Sequence, residues 1–224
     1  MALETRTKSD TTYLQLDYGR KSMYIYSGEE KEGFEKHTSS TGKVSYRQYV
    51  NAVSGKITNA YFRDGNFGGT EFVLIFTDED GKYSVQMGVE DSVFQGLARN
   101  IKNVDASQVV RLSIYESKSK TSDKTYFGVS LSYPEKLDKD GKATLVEWGE
   151  ELPQGKQLRN GKWDFSESND EAYGRAEEFI KNNGFDKFEA NSNETSTVKD
   201  EKPASSKNSK NTNVEDEDDE NLPF

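Results

Sequence analysis

Residues 70–102 read T-E-F-V-L-I-F-T-D-E-D-G-K-Y-S-V-Q-M-G-V-E-D-S-V-F-Q-G-L-A-R-N-I-K. Three signals follow one another along this stretch. Thr70 to Thr77 is an apolar run rich in β-formers. Asp78-Glu79-Asp80-Gly81 supplies a tight turn, because Asp-Gly accepts the positive φ that short hairpin turns need. Lys82 to Gly88 then alternates, as a strand with one buried face does. The period changes after that. Val93, Phe94, Leu97, Ala98 and Ile101 recur at helical spacing behind Asp91, a plausible N-cap.

Working outward, a long strand pattern runs from about Tyr49 to Arg63, with Ser54-Gly55 as a bulge or bend. Asp64 to Gly69 is a turn-rich connection. Downstream, Val109 to Glu116 sets Val110, Leu112 and Ile114 on one face, and Thr125 to Tyr133 does the same with Phe127, Val129 and Leu131. Ser117 to Lys124 between them is a polar turn bearing lysines. Three strands, a helix and two strands is the order of the OB-fold, a five-stranded barrel with its helix between strands three and four. In that fold strands two and three, with the loops joining strands 1–2 and 4–5, bind oligonucleotides and oligosaccharides. The expected fold is therefore mainly β.

The flanks add smaller pieces. Residues 11–27 read as a hairpin and 28–43 as a polar loop, so residues 1–45 form an N-terminal β-hairpin extension. The barrel module spans 46–188. It closes with a hairpin around Asp138-Lys139-Asp140-Gly141, a loop leading to Trp163, and a helix. Ser168 and Glu171 form a capping-box pattern for that helix. Ala172, Ala176, Phe179 and Ile180 give its apolar face, and Gly184 its stop. Residues 189–214 hold no aliphatic beyond Val198 and Val214, too little apolar surface to offset ordering entropy, and read as a disordered linker.

The chain of 224 residues has no cysteine, which excludes disulfides and thiolate metal sites. No run approaches the ~20 apolar residues of a membrane span, and the start of the chain lacks an apolar signal core. A soluble cytoplasmic protein is expected. The net charge of −10 is unevenly spread. From Glu189 to Phe224 ten acids face four lysines, leaving −4 for residues 1–188. Any contact with a phosphate backbone must then come from a local basic patch, not from the overall field.

The chain ends E-D-E-D-D-E-N-L-P-F, residues 215–224. Six like charges repel, and the apolar groups beside them are confined to Leu222, Pro223 and Phe224. Such a segment reads as a tethered ligand, a charged lead-in with an apolar hook. The tip resembles that of bacterial and bacteriophage single-stranded DNA-binding proteins, which end in an acidic run, an apolar residue, proline and phenylalanine. The likeness covers Glu215, Asp216, Glu217, Asp218, Asp219, Glu220, Leu222, Pro223 and Phe224, and departs at the interposed Asn221. It implies an OB-fold, non-catalytic coating of single strands in replication and recombination, and a tip that recruits replication proteins. A phage-encoded chain would act in the cytoplasm of its bacterial host.

Catalytic and metal motifs are missing. One histidine, His37, stands in the polar loop, and no G-x-x-x-x-G-K-[ST] phosphate loop exists. Asp78-Asp80-Gly81 and Asp138-Asp140-Gly141 share the acid spacing of calcium loops, but aligning either glycine puts Phe76 or Lys136 where a carboxylate is required. No enzyme, metal or cofactor is expected. Binding single strands needs π-faces for bases and cations for phosphates. The candidates are Tyr46, Tyr49, Lys56, Tyr61 and Arg63 on or near the first strand, Phe72 on the second and Tyr83 on the third. Arg111 and Tyr115 follow on the fourth, opposite its aliphatic face, then Lys118, Lys120 and Lys124 in the turn, with Tyr126 beyond. Two other readings fit the same sequence. One is a β-barrel module for oligosaccharide or protein whose tail only solubilises. The other is an acidic chaperone or DNA mimic.

Overall fold

The run at Thr70–Thr77 becomes a central strand of a ten-stranded, mainly antiparallel sheet that shares one core with two helices. The computed structural model describes residues 11–65, 68–118 and 125–187. Among the described residues the strands are β1 (Thr11–Asp17), β2 (Ser22–Ser27), β3 (Glu35–Thr38), β4 (Val44–Val50) and β5 (Ala52–Asp64). They continue with β6 (Thr70–Thr77), β7 (Lys82–Gly88), β8 (Val109–Lys118), β9 (Thr125–Leu137) and β10 (Ala143–Leu145). They form one sheet in the order β10-β9-β8-β5-β6-β7-β1-β2-β4-β3. Every pairing is antiparallel except that of β1 with β7.

β5 serves both halves of the sheet. Its residues Ala52 to Lys56 pair with β8, and Lys56 to Asp64 pair with β6. Gly55 lies at the changeover. A Cβ there would stand 2.8 Å from the Thr77 carbonyl oxygen, so the close approach of β6 requires glycine. The irregularity expected at Ser54-Gly55 falls instead between Ile57 and Asn59. The single strand expected from Tyr49 to Arg63 is broken at Asn51, where β4 ends and β5 begins.

The sheet is open. A five-stranded barrel needs β7 to meet β9, and no such ladder exists among the described residues. β7 instead takes β1 as a parallel neighbour, from Thr11↔Lys82 to Leu14↔Val85, and the outer edge of β9 takes β10. The N–H and C=O groups of an uncovered edge seek partners, and the N-terminal hairpin supplies them. That hairpin continues the main sheet, with Leu14 and Met23 in the common core. Residues 28–43, expected as loop, contain β3, whose His37 pairs with Ser45 of β4. Its sequence, E-K-H-T, has no apolar alternation, so nothing local announced a strand.

Side chains span the interval between the two halves. The Tyr18 ring meets Phe127 edge-on at 5.1 Å, and its hydroxyl donates to Asp91. The Lys21 ammonium stands 5.0 Å over the Phe127 ring.

Helix α1 (Ser92–Ala98) follows β7 in the chain and buries Val93, Phe94, Leu97 and Ala98. Asp91 holds its N-cap position, but its carboxylate accepts from the Gly88 N–H and the Tyr18 hydroxyl rather than from a helix N–H. Gly96 packs on Val129 of β9, where a Cβ would lie 2.5 Å from a methyl. Helix α2 (Ser166–Asn182) begins before Ser168, so the expected capping box is interior. Asp164 accepts from the Ser166 N–H at 2.9 Å, and the Ser168 hydroxyl donates to Gln95 at 2.9 Å. Gly184, at φ +69°, follows its end. Phe62 ties sheet to helices, with ring centroids 5.1 Å from Phe72, 6.4 Å from Phe94 and 4.0 Å from Tyr173. A separate short hairpin pairs β11 (Lys156–Gln157) with β12 (Trp163–Asp164). No described helix is long and apolar enough to cross a membrane.

Candidate nucleic-acid interface

Alternation along β8 builds the site. Val110, Leu112 and Ile114 are buried, which turns Arg111 and Tyr115 outward. Their neighbours on that face are small. Arg111 lies between Ser54 and Ser132, and Ser113 between Ala52 and Ser130. Tyr115 faces Gly128, where an added Cβ would stand 2.2 Å from a carbon of the Tyr115 ring. The glycine gives the ring a flat backbone seat, and Tyr115 remains 45% exposed.

A cleft of about 380 Å³ opens beside this ring, lined by Arg20, Lys21, Asn51, Arg111, Tyr115 and Glu116 among others. Three cations face one carboxylate there, on a protein whose overall charge is negative. Arg20 and Lys21 come from the β1–β2 turn, which is held from within. The Arg20 N–H donates to Asp17 at 3.0 Å, and the Lys21 ammonium to the Tyr18 carbonyl at 2.6 Å. Lys21 itself adopts φ +53°, a left-handed conformation that costs a lysine energy. The Ile114 N–H donates to the Asn51 carbonyl at 2.8 Å and fixes the β4–β5 kink against β8.

Arg20 also connects the cleft to β4. Its guanidinium lies 4.1 Å over the Tyr49 ring. It pairs with Glu35 at 2.7 Å, but both side chains are more than half exposed, so the pair contributes little and leaves Arg20 open to a phosphate. Beneath it, burial pushes the Asp17 carboxyl up, but hydrogen bonds from the Arg20 N–H and the Tyr49 hydroxyl, with the charge of Arg47, outweigh it. The net shift is below the usual carboxylate value. Asp17 therefore stays ionised and pinned to the turn, with Arg47 3.1 Å away.

The other sequence candidates fall into three groups. Phe72 is wholly buried and has no face for a base. Tyr83 packs partly buried against the core, and Arg63 is tied to Glu71 and Gln86, each at 2.7 Å. None of these three reaches the cleft. Lys56 is exposed on β5 two residues beyond Ser54, the partner of Arg111. Lys118 is exposed at the end of β8. Tyr46 and Tyr61 are half-buried. The backbone of Tyr126 pairs with Ser117. Its side chain, with Lys120, Lys124 and the tip Glu215–Phe224, lies outside the described residues.

Sequence reasoning missed Arg20, Lys21 and Gly128. Two adjacent cations in a turn gave no hint of which strand they would meet. Gly128 carried a readable signal, since a glycine inside a strand marks a bulge or a close approach. No protein-family model, curated protein or solved structure matches the chain.

Proposed function

We propose that this protein binds single-stranded DNA without sequence preference, coating it in replication and recombination, and recruits replication proteins through Glu215–Phe224. The observation that carries the reading is the cleft at β8. An exposed aromatic ring, seated on glycine, stands among Arg20, Lys21 and Arg111. Stacking suits every base, and cations track every phosphate, so the combination is tolerant of sequence. β5 to β9 with α1 would serve as an OB-like module in which β1 occupies the edge that a closed barrel would give to its last strand. The role is non-catalytic and needs no metal or cofactor.

The test is a titration with poly-dT, following tyrosine and tryptophan emission and, independently, filter retention. Quenching and retention with a finite site size support the reading. Affinity should fall with salt, by about 0.7 in logarithmic slope for each phosphate contact. No binding at low salt would sink the proposal and leave an oligosaccharide or protein module, or an acidic chaperone or DNA mimic.

The tip is the second half of the proposal. Phe224 carries a large apolar ring and the terminal carboxylate, so an apolar pocket beside a basic side chain can read both. Burying such a ring contributes about 1.5–3 kcal/mol. Removing Phe224 should weaken capture of replication proteins roughly 10- to 100-fold while leaving strand binding unchanged. Equal capture by both forms would reduce the tail to a solubilising segment.

A further inference from the structure

The β11–β12 hairpin stands apart from the main sheet and repeats the device found at Tyr115. Its turn is closed by the Leu158 N–H to the Lys162 carbonyl at 2.7 Å and the Gly161 N–H to the Leu158 carbonyl at 2.9 Å, with Gly161 at φ +81°. Trp163 and Phe165 are 59% and 53% exposed, and their rings lie 6.4 Å apart at 26° to one another. Phe165 is seated on Gly155, where a Cβ would stand 2.5 Å from the ring. A two-stranded ribbon is marginal in water, and exposing Trp163 on it, with Phe165 just beyond its end at the start of α2, gives it no fold stability. An uncovered aromatic pair beside a defined turn points to a ligand.

Charge selects the ligand. Residues 156–164, the hairpin with its turn, read K-Q-L-R-N-G-K-W-D, with three cations against Asp164 alone, in a chain of net charge −10. Lys156 is paired with Glu167. Arg159 and Lys162 are exposed, and neither is ion-paired among the described residues. Aromatic faces flanked by unpaired cations match a base and its adjoining phosphates. A second copy of this acidic chain would be a poorer match to that positive segment.

We propose that the β11–β12 hairpin is a second contact for the same single strand, with Trp163 stacking on a base and Arg159 and Lys162 neutralising neighbouring phosphates. This rests on the single-strand reading above. The chain has two tryptophans, and Trp148 is 59% exposed, so Trp148→Phe leaves Trp163 as the one reporter in an unaltered hairpin. Saturating poly-dT should quench that emission. Trp163→Ala should weaken strand binding roughly 5- to 100-fold. The pair Arg159→Ala and Lys162→Ala should lower the salt slope by about 1.4. If filter retention shows full binding while Trp163 emission is unquenched and the Trp163→Ala affinity is unchanged, the hairpin contact is wrong and the single-strand reading survives. If the unaltered protein retains no poly-dT, both fall. A sedimentation change in Trp163→Ala with unchanged strand affinity would assign the hairpin to self-association instead, and would overturn the proposal.

Discussion

β6 and β8 flank β5 in one sheet, yet they present different surfaces. On β6, Phe72, Leu74 and Phe76 face the core and are wholly buried. Val73 is also wholly buried, on the other face, between Tyr61 and Gln86 of the adjoining strands. Long polar side chains close over that side, where Arg63 hydrogen-bonds both Glu71 and Gln86. On β8 the inner residues are equally buried, but the outer neighbours are alanine, serine and glycine. They are too short to cover Arg111 or Tyr115. The exposed face here is made as much by small residues beside a large one as by the large one itself.

The largest test of that contrast is Phe72→Ala. Truncating a fully buried phenylalanine costs about 3–5 kcal/mol, from lost transfer energy and the cavity left behind. Urea unfolding should show it as a lower midpoint. A cost under about 1 kcal/mol would mean that β6 is not the sealed strand described above.

Tyr115→Ala should behave in the opposite way. Half the ring is already in water, so stability should change by only about 0.5 kcal/mol. Strand binding should weaken by about 1–3 kcal/mol. Gly128→Ala should push the ring off its seat and lower affinity in the same direction by less. If Tyr115→Ala unfolds the protein while poly-dT affinity of the folded fraction is unchanged, the ring is a packing element and β8 resembles β6 after all.

The contrast also explains what the sequence could reveal. Val110, Leu112 and Ile114 alternate with Arg111 and Tyr115, so inner and outer faces of β8 were legible without coordinates. T-E-F-V-L-I-F-T is apolar on both faces, and period two cannot sort a strand covered on both sides. Phe72 therefore stood among the candidates with no alternation to mark it as core, whereas Tyr115 was set apart by the aliphatic face opposite it. The pairing of β1 with β7 was hidden for another reason. Thr11 meets Lys82 across some seventy residues of chain, and alternation says that a strand has a face but not which edge it will join. The arrival of Arg20 and Lys21 at the cleft follows from that long-range pairing, so it too was out of reach. β3 was missed because an edge strand of polar residues has no apolar pattern to betray it.

The smallest effect concerns the turn that completes the β8 cleft. Tyr18 packs on Phe127 and donates its hydroxyl to Asp91, so it latches the β1–β2 turn beside β9 and α1. Burial pushes the Tyr18 hydroxyl pKa up, and the hydrogen bond to Asp91 and that carboxylate's charge push it the same way. An unfolded tyrosine ionises near pH 10. The latch thus contributes fully below pH 10, and its contribution is lost above that value, because the unfolded chain releases the proton while the folded one keeps it. Tyr18→Phe keeps the ring and removes the hydroxyl. At pH 8 it should cost roughly 0.5–1.5 kcal/mol, toward the lower end because the group is half exposed and screened. Above pH 10 the gap between variant and wild type should narrow. Both should still decline there, since Tyr24 and Tyr83 are also raised by burial. Poly-dT affinity at pH 8 should drop slightly, because Arg20 and Lys21 are presented by this turn. Urea midpoints at pH 8 and pH 10.5 decide the matter. A gap that is the same at both values would show that the hydroxyl does not hold the turn, and the cations of the cleft would then owe their position to the β1–β7 ladder and the Phe127 contact alone.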